Sequence, residues 1–234
     1  MVNFAVIIPT YNEKENIEKL IQTIFLSYST ASVIIVDDSS DGTSSVVERL
    51  GKKYKKLYLI KRIKKSGRGS AVIEGFTFAL SKTKSVLFIE MDADFSHNPE
   101  EIRYLINNSA PKTVVIASRY LKKSQIIDWL YSRKVASKLA NILIRFLLQT
   151  PVIDNTNGYR CYTKNAIQIL VNHTFISHGF ITLSEEEFLL KKKGFAFIEI
   201  PSIFINRKKG KSSATIGEVV RSLINLFRIK FLVH

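Results

Sequence analysis

The first 120 residues alternate short apolar, β-branched runs with longer stretches of helical spacing. The apolar runs are FAVIIPT, SVIIVDD, LYLIKR, SVLFIEMDAD and TVVIASRY. Strands that are apolar along their whole length and alternate with helices are typical of a parallel sheet covered on both faces. The alternation therefore predicts an α/β fold, and the 234 residues are enough for one large domain with a substantial core.

The second half contains two amphipathic stretches, with a helix predicted at SEEEFLLKKKG and another strand at FAFIEIPSIFINR. In residues 133–148 a polar stripe opposes an apolar one: Lys134, Lys138, Asn141 and Arg145 against Leu139, Leu143 and Leu147. Such a helix can lie at a membrane interface with its lysines toward anionic headgroups, or it can pack on the sheet as a core helix. The stretch that closes the chain has the same two interpretations.

Composition narrows the class of partner. The formal net charge of +15 favours an anionic partner, namely nucleic acid, a phosphorylated ligand or an anionic membrane surface. The single cysteine, Cys161, excludes an internal disulfide and a cysteine metal cage and indicates a reducing compartment. The N-terminus has no basic leader, so we expect a first strand there, and no run of about 18 apolar residues predicts a membrane span.

Acidic residues follow the carboxyl ends of the predicted strands, where parallel α/β sheets bind ligands. Asp37 and Asp38 end the second apolar run, and Asp92 and Asp94 end the fourth. Two carboxylates separated by one residue can share a hard cation such as Mg²⁺ or Mn²⁺, which would neutralise a diphosphate leaving group. The alternative interpretation is a solvated loop whose acids lie together by chance.

The glycine-containing segment KKSGRGSA is a weaker signal. Its backbone N–H groups, with Lys65 or Arg68, could approach a phosphate at a helix start, or the segment could be a flexible basic connection. The four histidines have no metal-ligand spacing, so we expect them to be solvated or structural. A Walker-type loop and a Gly-x-Ser-x-Gly elbow are both missing, so neither an ATPase nor a serine hydrolase is supported.

The motifs VIIPTYNEKENI, IIVDDSSDGT, MDADFSHNPEEI, ASRY and DNTNGYRCY occur in the order found in inverting family 2 glycosyltransferases. The sequence resembles this family from Val6 to about Ser213, and within it the dolichol-phosphate mannose synthases. The resemblance implies a glycosyltransferase-A type fold: a Rossmann-like, mostly parallel sheet with helices on both faces, plus C-terminal amphipathic helices. We expect a catalytic domain at 1–213 and a C-terminal amphipathic, membrane-facing segment at 214–234.

The activity that the resemblance implies is inverting, metal-dependent transfer of mannose from GDP-mannose to dolichyl (polyprenyl) phosphate. The protein would be peripheral on the cytoplasmic face of the membrane, bound to an anionic surface and served by a small membrane-anchoring partner in some cases. The alternatives are a UDP-glucose-using polyprenyl-phosphate glucosyltransferase, another family 2 enzyme and, more remotely, a nucleic-acid-binding module. The expected partners do not include nucleic acid, because no basic–aromatic interleaving is present and acids occupy the ligand edge.

The resemblance also assigns roles to residues. The nucleotide-sugar site would contain Pro9, Tyr11, Glu13, Val36, Asp38, Asp92, Ala93, Asp94, Arg119, Arg207, Lys211 and Ser213. The metal, Mg²⁺ or Mn²⁺, would be bound by Asp92, Asp94 and Ser96, and the catalytic residues would be Asp94, Arg119, Arg133 and Glu185. Arg133, Ser137, Asp154 and Arg160, with Gly158, would shape the acceptor side. Ser213 stands where family members often have a lysine, and Lys211 is the nearest substitute.

A lipid phosphate acceptor makes a strong general base unnecessary, because its oxygens are largely ionised near neutral pH. The remaining task is to hold two anions together against their repulsion, which requires arginines and a divalent cation. This requirement explains how acids at the sheet edge can coexist with a strongly basic chain.

Overall fold

The computed structural model of the chain describes residues 2–207 and 216–233. Its first part forms the predicted alternation of strands and helices: β1 (Phe4–Thr10), α1 (Lys14–Ser27), β2 (Ser32–Asp37), α2 (Thr43–Gly51), β3 (Leu57–Lys61), α3 (Arg68–Lys82), β4 (Leu87–Glu90), α4 (Ile102–Asn107) and β5 (Thr113–Ser118). The second part adds β6 (Gln125–Ile127), α5 (Tyr131–Leu148), β7 (Arg160–Thr163), α6 (Lys164–Val171), α7 (Thr182–Lys192), β8 (Ala196–Pro201), β9 (Ile203–Ile205) and α8 (Ile216–Leu232).

The main sheet has seven strands in the order β3-β2-β1-β4-β7-β5-β8. All neighbouring pairs are parallel except those of β7, which runs antiparallel to both β4 and β5. The expected mostly parallel α/β sheet is therefore confirmed. β6 and β9 form a separate parallel pair. The segment FAFIEIPSIFINR, predicted as one strand, is divided at Ser202 into β8, which belongs to the main sheet, and β9, which does not.

Helices cover both faces of the sheet, as expected. Alternate residues of β1 separate the two cores: Val6 and Ile8 pack with α1, α2 and α4, whereas Ala5 and Ile7 pack with α3, α6 and α7. This alternation is the two-residue period of a strand, and it fixes the register because every side chain on β1 from Phe4 to Ile8 is buried. We call the core on the α3, α6 and α7 side the second core. Buried residues of α5 and α8 belong to it, namely Ile144, Leu148, Leu226 and Ile229.

The amphipathic helix α5 packs on the protein body by a mixed face, with Asn141, Ile144 and Leu148 buried, and much of its apolar side faces outward. Asn141 is buried and Ser137 is half-buried, while Leu139 and Phe146 are 60% and 79% exposed. The C-terminal half of α5 thus packs on the core through Ile144 and Leu148, whereas its exposed apolar residues leave the membrane-interface interpretation a prediction. Polar atoms of the body, such as the Asn155 N–H that donates to Asn141 Oδ1, satisfy the polar residue of the inward face.

The C-terminal helix α8 has apolar residues on two sides. Leu226 and Ile229 are buried against the second core, whereas Phe227 and Phe231 are exposed. Within the described ranges, no helix combines the length and the apolar character needed to cross a bilayer. The expected domain boundary after residue 213 falls outside the described residues and stays a prediction.

Candidate active site

A cavity of about 560 Å³ opens at the carboxyl ends of β1, β2 and β4. We call it the edge cavity. Its walls come from the loops after these strands, the glycine segment before α3, the loop between α6 and α7, and one side of α8. The residues that line it include Pro9, Tyr11, Glu13, Asp38, Lys65, Gly67, Arg68, Asp92, Ala93, Asp94, Ile176, His178, Gly179, Phe180, Ile181, Arg207, Arg221, Ser222 and Asn225. The sheet edge therefore brings most of the expected nucleotide-sugar residues together.

Asp94 lies at the floor of the edge cavity, in a tight turn after β4. The N–H of Ser96 donates to Asp94 Oδ1 at 3.0 Å, and Phe95 between them adopts a left-handed φ of 59°. The other carboxylate oxygen, Oδ2, lies 3.2 Å from Nη2 of Arg207. The turn thus leaves Asp94 with one oxygen bound to its own loop and the other paired with a cationic side chain from beyond β9.

Asp92 is held from the protein side by Arg68. The Nε–H and Nη2–H groups of Arg68 donate to Asp92 Oδ1 at 2.9 and 2.8 Å, and Nη1 pairs with the buried Glu90. Burial by itself would raise the pKa of Asp92, but the neighbouring Arg68, with smaller contributions from His97 and Arg207, lowers it to about 2. Asp92 is therefore ionised at neutral pH.

The residues present fit a hard divalent cation. The Oγ atom of Ser96 is buried, with its residue only 2% exposed, and has no hydrogen-bond partner among the described residues. It follows Asp94 by two positions, so two carboxylates and an unpaired hydroxyl oxygen occur on one short loop, a donor set that suits Mg²⁺ or Mn²⁺. Within residues 2–207 and 216–233 no cluster of three or more His, Cys, Asp or Glu could bind a metal. A cation here would thus share its coordination with substrate oxygens and water.

Pro9, Tyr11, Glu13 and Asp38, which the resemblance assigns to the nucleotide, all line the edge cavity. Asp38 is paired with Arg62, whose Nε donates to Oδ1 at 2.6 Å. Burial raises the pKa of Glu13, and the negative charges of Asp94 and Asp92 add to this effect.

Val36 does not reach the cavity, contrary to the expectation. Its side chain lies against Gly75 in the second core, because the two-residue period of β2 directs position 36 to the sheet face that α3 covers.

Three arginines lie close together beside the floor of the cavity. Arg133 donates from Nη1 to Asn206 at 2.9 Å, and its guanidinium carbon lies 4.1 Å from the ring centre of Trp129. The pKa of Arg133 is lowered by partial burial and then by the charges of Arg207 and Arg119. The charges of Arg207 and Arg119 therefore lie within electrostatic reach of Arg133, and such a group of guanidinium side chains is suited to an anion.

Arg119 does not line the edge cavity. It is buried beside the aromatic rings of Tyr120, Trp129 and Phe204 and forms a two-point pair with Asp154, from Nε to Oδ2 at 2.8 Å and from Nη2 to Oδ1 at 2.6 Å. Both partners are nearly or fully buried.

The remaining acceptor-side residues differ in their access. Ser137 on α5 accepts a hydrogen bond of 2.6 Å from the Tyr120 hydroxyl, and it is half-buried. Arg160 is fully buried, and all three of its nitrogen atoms donate to backbone carbonyls, those of Asn157, Leu183 and Asn155. The expectation that Arg160 contacts the acceptor is not supported by this position, since its donors hold the loop before β7 and the first turn of α7.

Gly158 acts through Arg68. A Cβ atom at position 158 would lie 2.1 Å from Nη2 of Arg68, so the guanidinium group passes over this position only because it is glycine. The spacing of the motif gave no indication of this contact, which joins the loop before β7 to the acid pair.

Glu185 is fully buried and does not line the edge cavity. Its carboxylate accepts hydrogen bonds from the α6–α7 loop, including 2.8 Å from the N–H of Ile176 and 3.0 Å from the N–H of Ser177. The structure therefore does not bring it together with Asp94, Arg119 and Arg133. Lys211 and Ser213, also expected at the donor site, lie outside the described residues.

Sequence reasoning missed His97, which orders the backbone at Asp92. Its Nδ1 accepts from the Asp92 N–H at 3.1 Å, so Nε2 carries the proton and donates to Asn157 Oδ1 at 2.9 Å. The ring is buried and stacks on Tyr159 at 4.8 Å between centres. The available signal was its position five residues after Asp92, inside the same loop.

A cavity at the carboxyl edge of a mostly parallel sheet, with an Asp-x-Asp pair at its floor, is the arrangement of a glycosyltransferase of the A type. The chain belongs to Glycosyl transferase family 2, whose sequence profile matches residues 5–170. The expected fold type and enzyme class are both confirmed.

Two curated relatives are similar over most of their lengths. The polyprenol monophosphomannose synthase of Mycolicibacterium smegmatis is 34% identical over 210 residues, which cover 88% of this chain and 79% of the relative. The undecaprenyl-phosphate mannosyltransferase of Micrococcus luteus is 30% identical over 223 residues, which cover 95% of this chain and 91% of the relative.

Among solved structures, the glucosyl-3-phosphoglycerate synthase of Mycobacterium tuberculosis, in complex with Mn²⁺, UDP and glucosyl-3-phosphoglycerate, shares the fold. Its TM-score is 0.67 at 15% identity, with 97% of this chain and 80% of that chain covered.

Proposed function

We propose that this protein transfers mannose from GDP-mannose to a polyprenyl phosphate such as dolichyl phosphate, with inversion at the anomeric carbon. It would act as a peripheral protein on the cytoplasmic face of the membrane. The two curated relatives, both named for mannosyl transfer to or synthesis on a polyprenyl carrier, support the donor sugar and the class of acceptor. The observation that carries the proposal is the combination of the edge cavity with an adjoining apolar surface on α5 and α8.

The apolar surface is broad and lies on two helices that contact each other. Its exposed members, which we call the outer helical surface, are Leu130, Tyr131, Val135, Leu139, Ile142, Leu143, Phe146, Leu223, Ile224, Phe227, Phe231 and Leu232. Single exposed apolar residues are ordinary, but many of them on two helices that contact each other are typical of an interaction surface. Exposed Lys138 and Arg145 on α5 add the basic charge that favours anionic lipid headgroups.

The outer helical surface adjoins the reaction site through the same two helices. Arg133 lies in the first turn of α5, and α8 contributes Arg221, Ser222 and Asn225 to the edge cavity. A lipid whose chain rests against the apolar side of α5 would therefore have its phosphate near Arg133. This arrangement supports a lipid phosphate acceptor more than a soluble sugar hydroxyl.

On the donor side, Asp92, Asp94 and Ser96 would hold the divalent cation, Mn²⁺ or Mg²⁺. The cation would supply charge neutralisation at the diphosphate leaving group. Arg68 keeps Oδ1 of Asp92 occupied, so Oδ2 of that residue is the oxygen left for ligands. Arg207, which is paired with Asp94, would contact the donor or the acceptor phosphate.

The transfer needs few proton movements. An ionised oxygen of the lipid phosphate forms a bond to the anomeric carbon while the bond from that carbon to the diphosphate breaks, and GDP leaves with the electron pair. Attack from the opposite face inverts the centre and gives a β-linked product from an α-linked donor. Arg133 and Arg207 would orient the attacking phosphate against the repulsion of the diphosphate. Arg119, engaged with Asp154, would support this pair from behind.

The direct test is transfer of labelled sugar from GDP-mannose, and in parallel from UDP-glucose, to a polyprenyl phosphate with Mn²⁺, with Mg²⁺ and with EDTA. We expect an organic-extractable, chelator-sensitive product from GDP-mannose. A lipid product from UDP-glucose alone would replace the donor, and slow hydrolysis of both donors without lipid product would overturn the acceptor assignment. Any small membrane-anchoring partner stays a prediction that co-purification from membranes can test.

A further inference from the structure

Among the residues that the structure describes, the donors to Glu185 all belong to the loop that joins α6 to α7, residues 172–181. Oε1 accepts from the N–H of Ile176 at 2.8 Å and lies 3.2 Å from His173 Nε2. Oε2 accepts from the N–H of Ser177 at 3.0 Å and from its hydroxyl at 2.6 Å. Every one of these partners can donate, so an ionised carboxylate satisfies them all, whereas a group with its own N–H would oppose at least one of them.

The loop that Glu185 holds is a wall of the edge cavity. Ile176 and residues 178–181 line the cavity, whereas the carboxylate of Glu185 is on the far side of the loop and fully buried. Because a loop has no regular backbone ladder, its position depends on such side-chain contacts. The Glu185 carboxylate therefore fixes the shape of this wall from the side of the loop that faces away from the cavity.

The glycine segment rests on this loop. The N–H of Gly69 donates to the carbonyl oxygen of His178 at 2.9 Å. A Cβ atom at Gly67 would lie 2.3 Å from that same oxygen, and one at Gly69 would lie 2.2 Å from Oγ1 of Thr182. The two glycines thus permit a contact that no other residue type allows, and Arg68 between them reaches Asp92.

We propose that Glu185 is a positioning residue for donor binding, which acts through the α6–α7 loop on the cavity wall and on the glycine segment that carries Arg68. The inference rests on the proposed function, because it takes the edge cavity to be the nucleotide-sugar site. It gives Glu185 no contact with substrate and no proton transfer, unlike the catalytic role that the resemblance implied. The carboxylate must be in place to accept these hydrogen bonds, but it does not react.

The test is a steady-state and binding comparison of Glu185→Gln with the wild-type full-length protein. We expect the Kd for GDP with Mn²⁺, and the KM for GDP-mannose, to rise about tenfold, the equivalent of one lost charge-assisted hydrogen bond. Because the chemical step is untouched, kcat at saturating donor should change by less than about threefold. Glu186→Gln is the matched control: Glu186 is the next residue, equally buried, and accepts from the Tyr162 hydroxyl, which an amide oxygen also satisfies.

The opposite kinetic pattern would overturn the inference. A fall in kcat of about a hundredfold or more, with unchanged GDP affinity, is the signature of a catalytic acid or base. If Glu185→Gln does not fold, Ser177→Ala decides, since it removes one donor and keeps the carboxylate: a smaller rise in KM supports the inference and an unchanged KM contradicts it. Wild-type protein that neither binds GDP nor transfers mannose would refute the proposed function, whereas active wild type with a wild-type-like Glu185→Gln refutes this inference alone.

Discussion

Arg68 donates two hydrogen bonds to a single oxygen of Asp92 and a third to Glu90, so the first acid of the Asp-Ala-Asp loop is tied to the protein by one guanidinium group. The remaining oxygen of Asp92 stays free of that group. The orientation of this oxygen, and hence the affinity for a cation, depends on a residue that lies in the glycine segment and not in the acid loop.

Replacing Arg68 by Lys should weaken cation binding. A lysine keeps the charge but provides one point of contact where the guanidinium group provides a fork, so Asp92 gains freedom to rotate. We expect the Kd for Mn²⁺ to rise about tenfold, a cost of roughly 1.4 kcal/mol. Calorimetric titration measures it, with Arg49→Lys, an exposed pair with Glu18, as the control. Equal affinity in the Arg68 and Arg49 variants would contradict the role given to Arg68.

Gly158→Ala should give the same defect from a position that contacts no ligand. The new methyl group would lie 2.1 Å from Nη2 and 2.9 Å from Cζ of Arg68, which must move and release Asp92. Gly51→Ala is the control, because nothing lies within 4 Å of a Cβ there. The expected result is a weaker Mn²⁺ affinity for Gly158→Ala, about as large as that of Arg68→Lys. Unaltered Mn²⁺ binding would show that Arg68 can reach Asp92 by another route past the new methyl group.

Asp94→Ala should abolish metal-dependent transfer and leave the fold intact. The residue lies in a loop at the cavity floor and its lost partners are the Ser96 N–H and Arg207, neither of which is part of the sheet. We expect turnover to fall by about a hundredfold or more, while far-ultraviolet circular dichroism stays that of the wild type. Activity that survives the change would remove Asp94 from the metal site.

Phe146→Ser combined with Phe227→Ser should weaken binding to vesicles that contain anionic lipid. The two rings are 79% and 51% exposed on the outer helical surface, and burying each in lipid would contribute about 2 kcal/mol. Sedimentation with vesicles should show partition reduced by about tenfold or more. Leu26→Ser is the control, since Leu26 is 89% exposed on α1, away from α5 and α8. If both variants lose binding equally, the surface is not specific.

The two adjacent acids Glu186 and Glu187 should make the protein less stable as the pH rises. Burial, and for Glu186 also the charge of Glu90, raises the pKa of Glu186 to about 8, and burial raises that of Glu187 to about 7. In the unfolded chain both lose their protons near pH 4.5. Between about pH 5 and pH 8 the folded state therefore binds more protons, and the free energy of unfolding falls with pH.

Urea unfolding at several pH values measures this fall, which we expect to amount to several kcal/mol for the pair. Glu186→Gln should show a shallower decline, because the amide stays neutral at every pH. Parallel declines in the variant and the wild type would show that these carboxyl groups are not the source.

The strands of the N-terminal half were predictable because each is apolar throughout and is followed by a helix of clear periodicity. β7 was not predicted: its four residues Arg160–Thr163 have no apolar run, and the long-range pairing with β4 and β5 decides their structure. The helix α6 was missed for a related reason, since its eight residues follow β7 without a break.

The acid pair and its edge of the sheet were predictable from position alone. The partners of these residues were not, because Arg68, His97 and Gly158 reach the acids through the folded chain and not through neighbouring sequence. The orientation of α5 was equally hidden: an amphipathic pattern gives two faces, and only the hydrogen bonds of Asn141 to the body show which face is turned inward. The roles of Lys211 and Ser213 stay predictions.

The antiparallel strand β7 lies between the strand that ends in the acid loop and the strand that ends in Arg119. The chain just before it carries Asp154 and Gly158, so one backbone ladder sets the spacing between the residues that touch Arg68 and those that touch Arg119. Under the proposed function, cation affinity and acceptor geometry therefore depend on the same ladder. Descendants that adopt a different acceptor are expected to vary α5 and its flanking loops, which the ladder leaves free, and to retain the segment from residue 154 to residue 163.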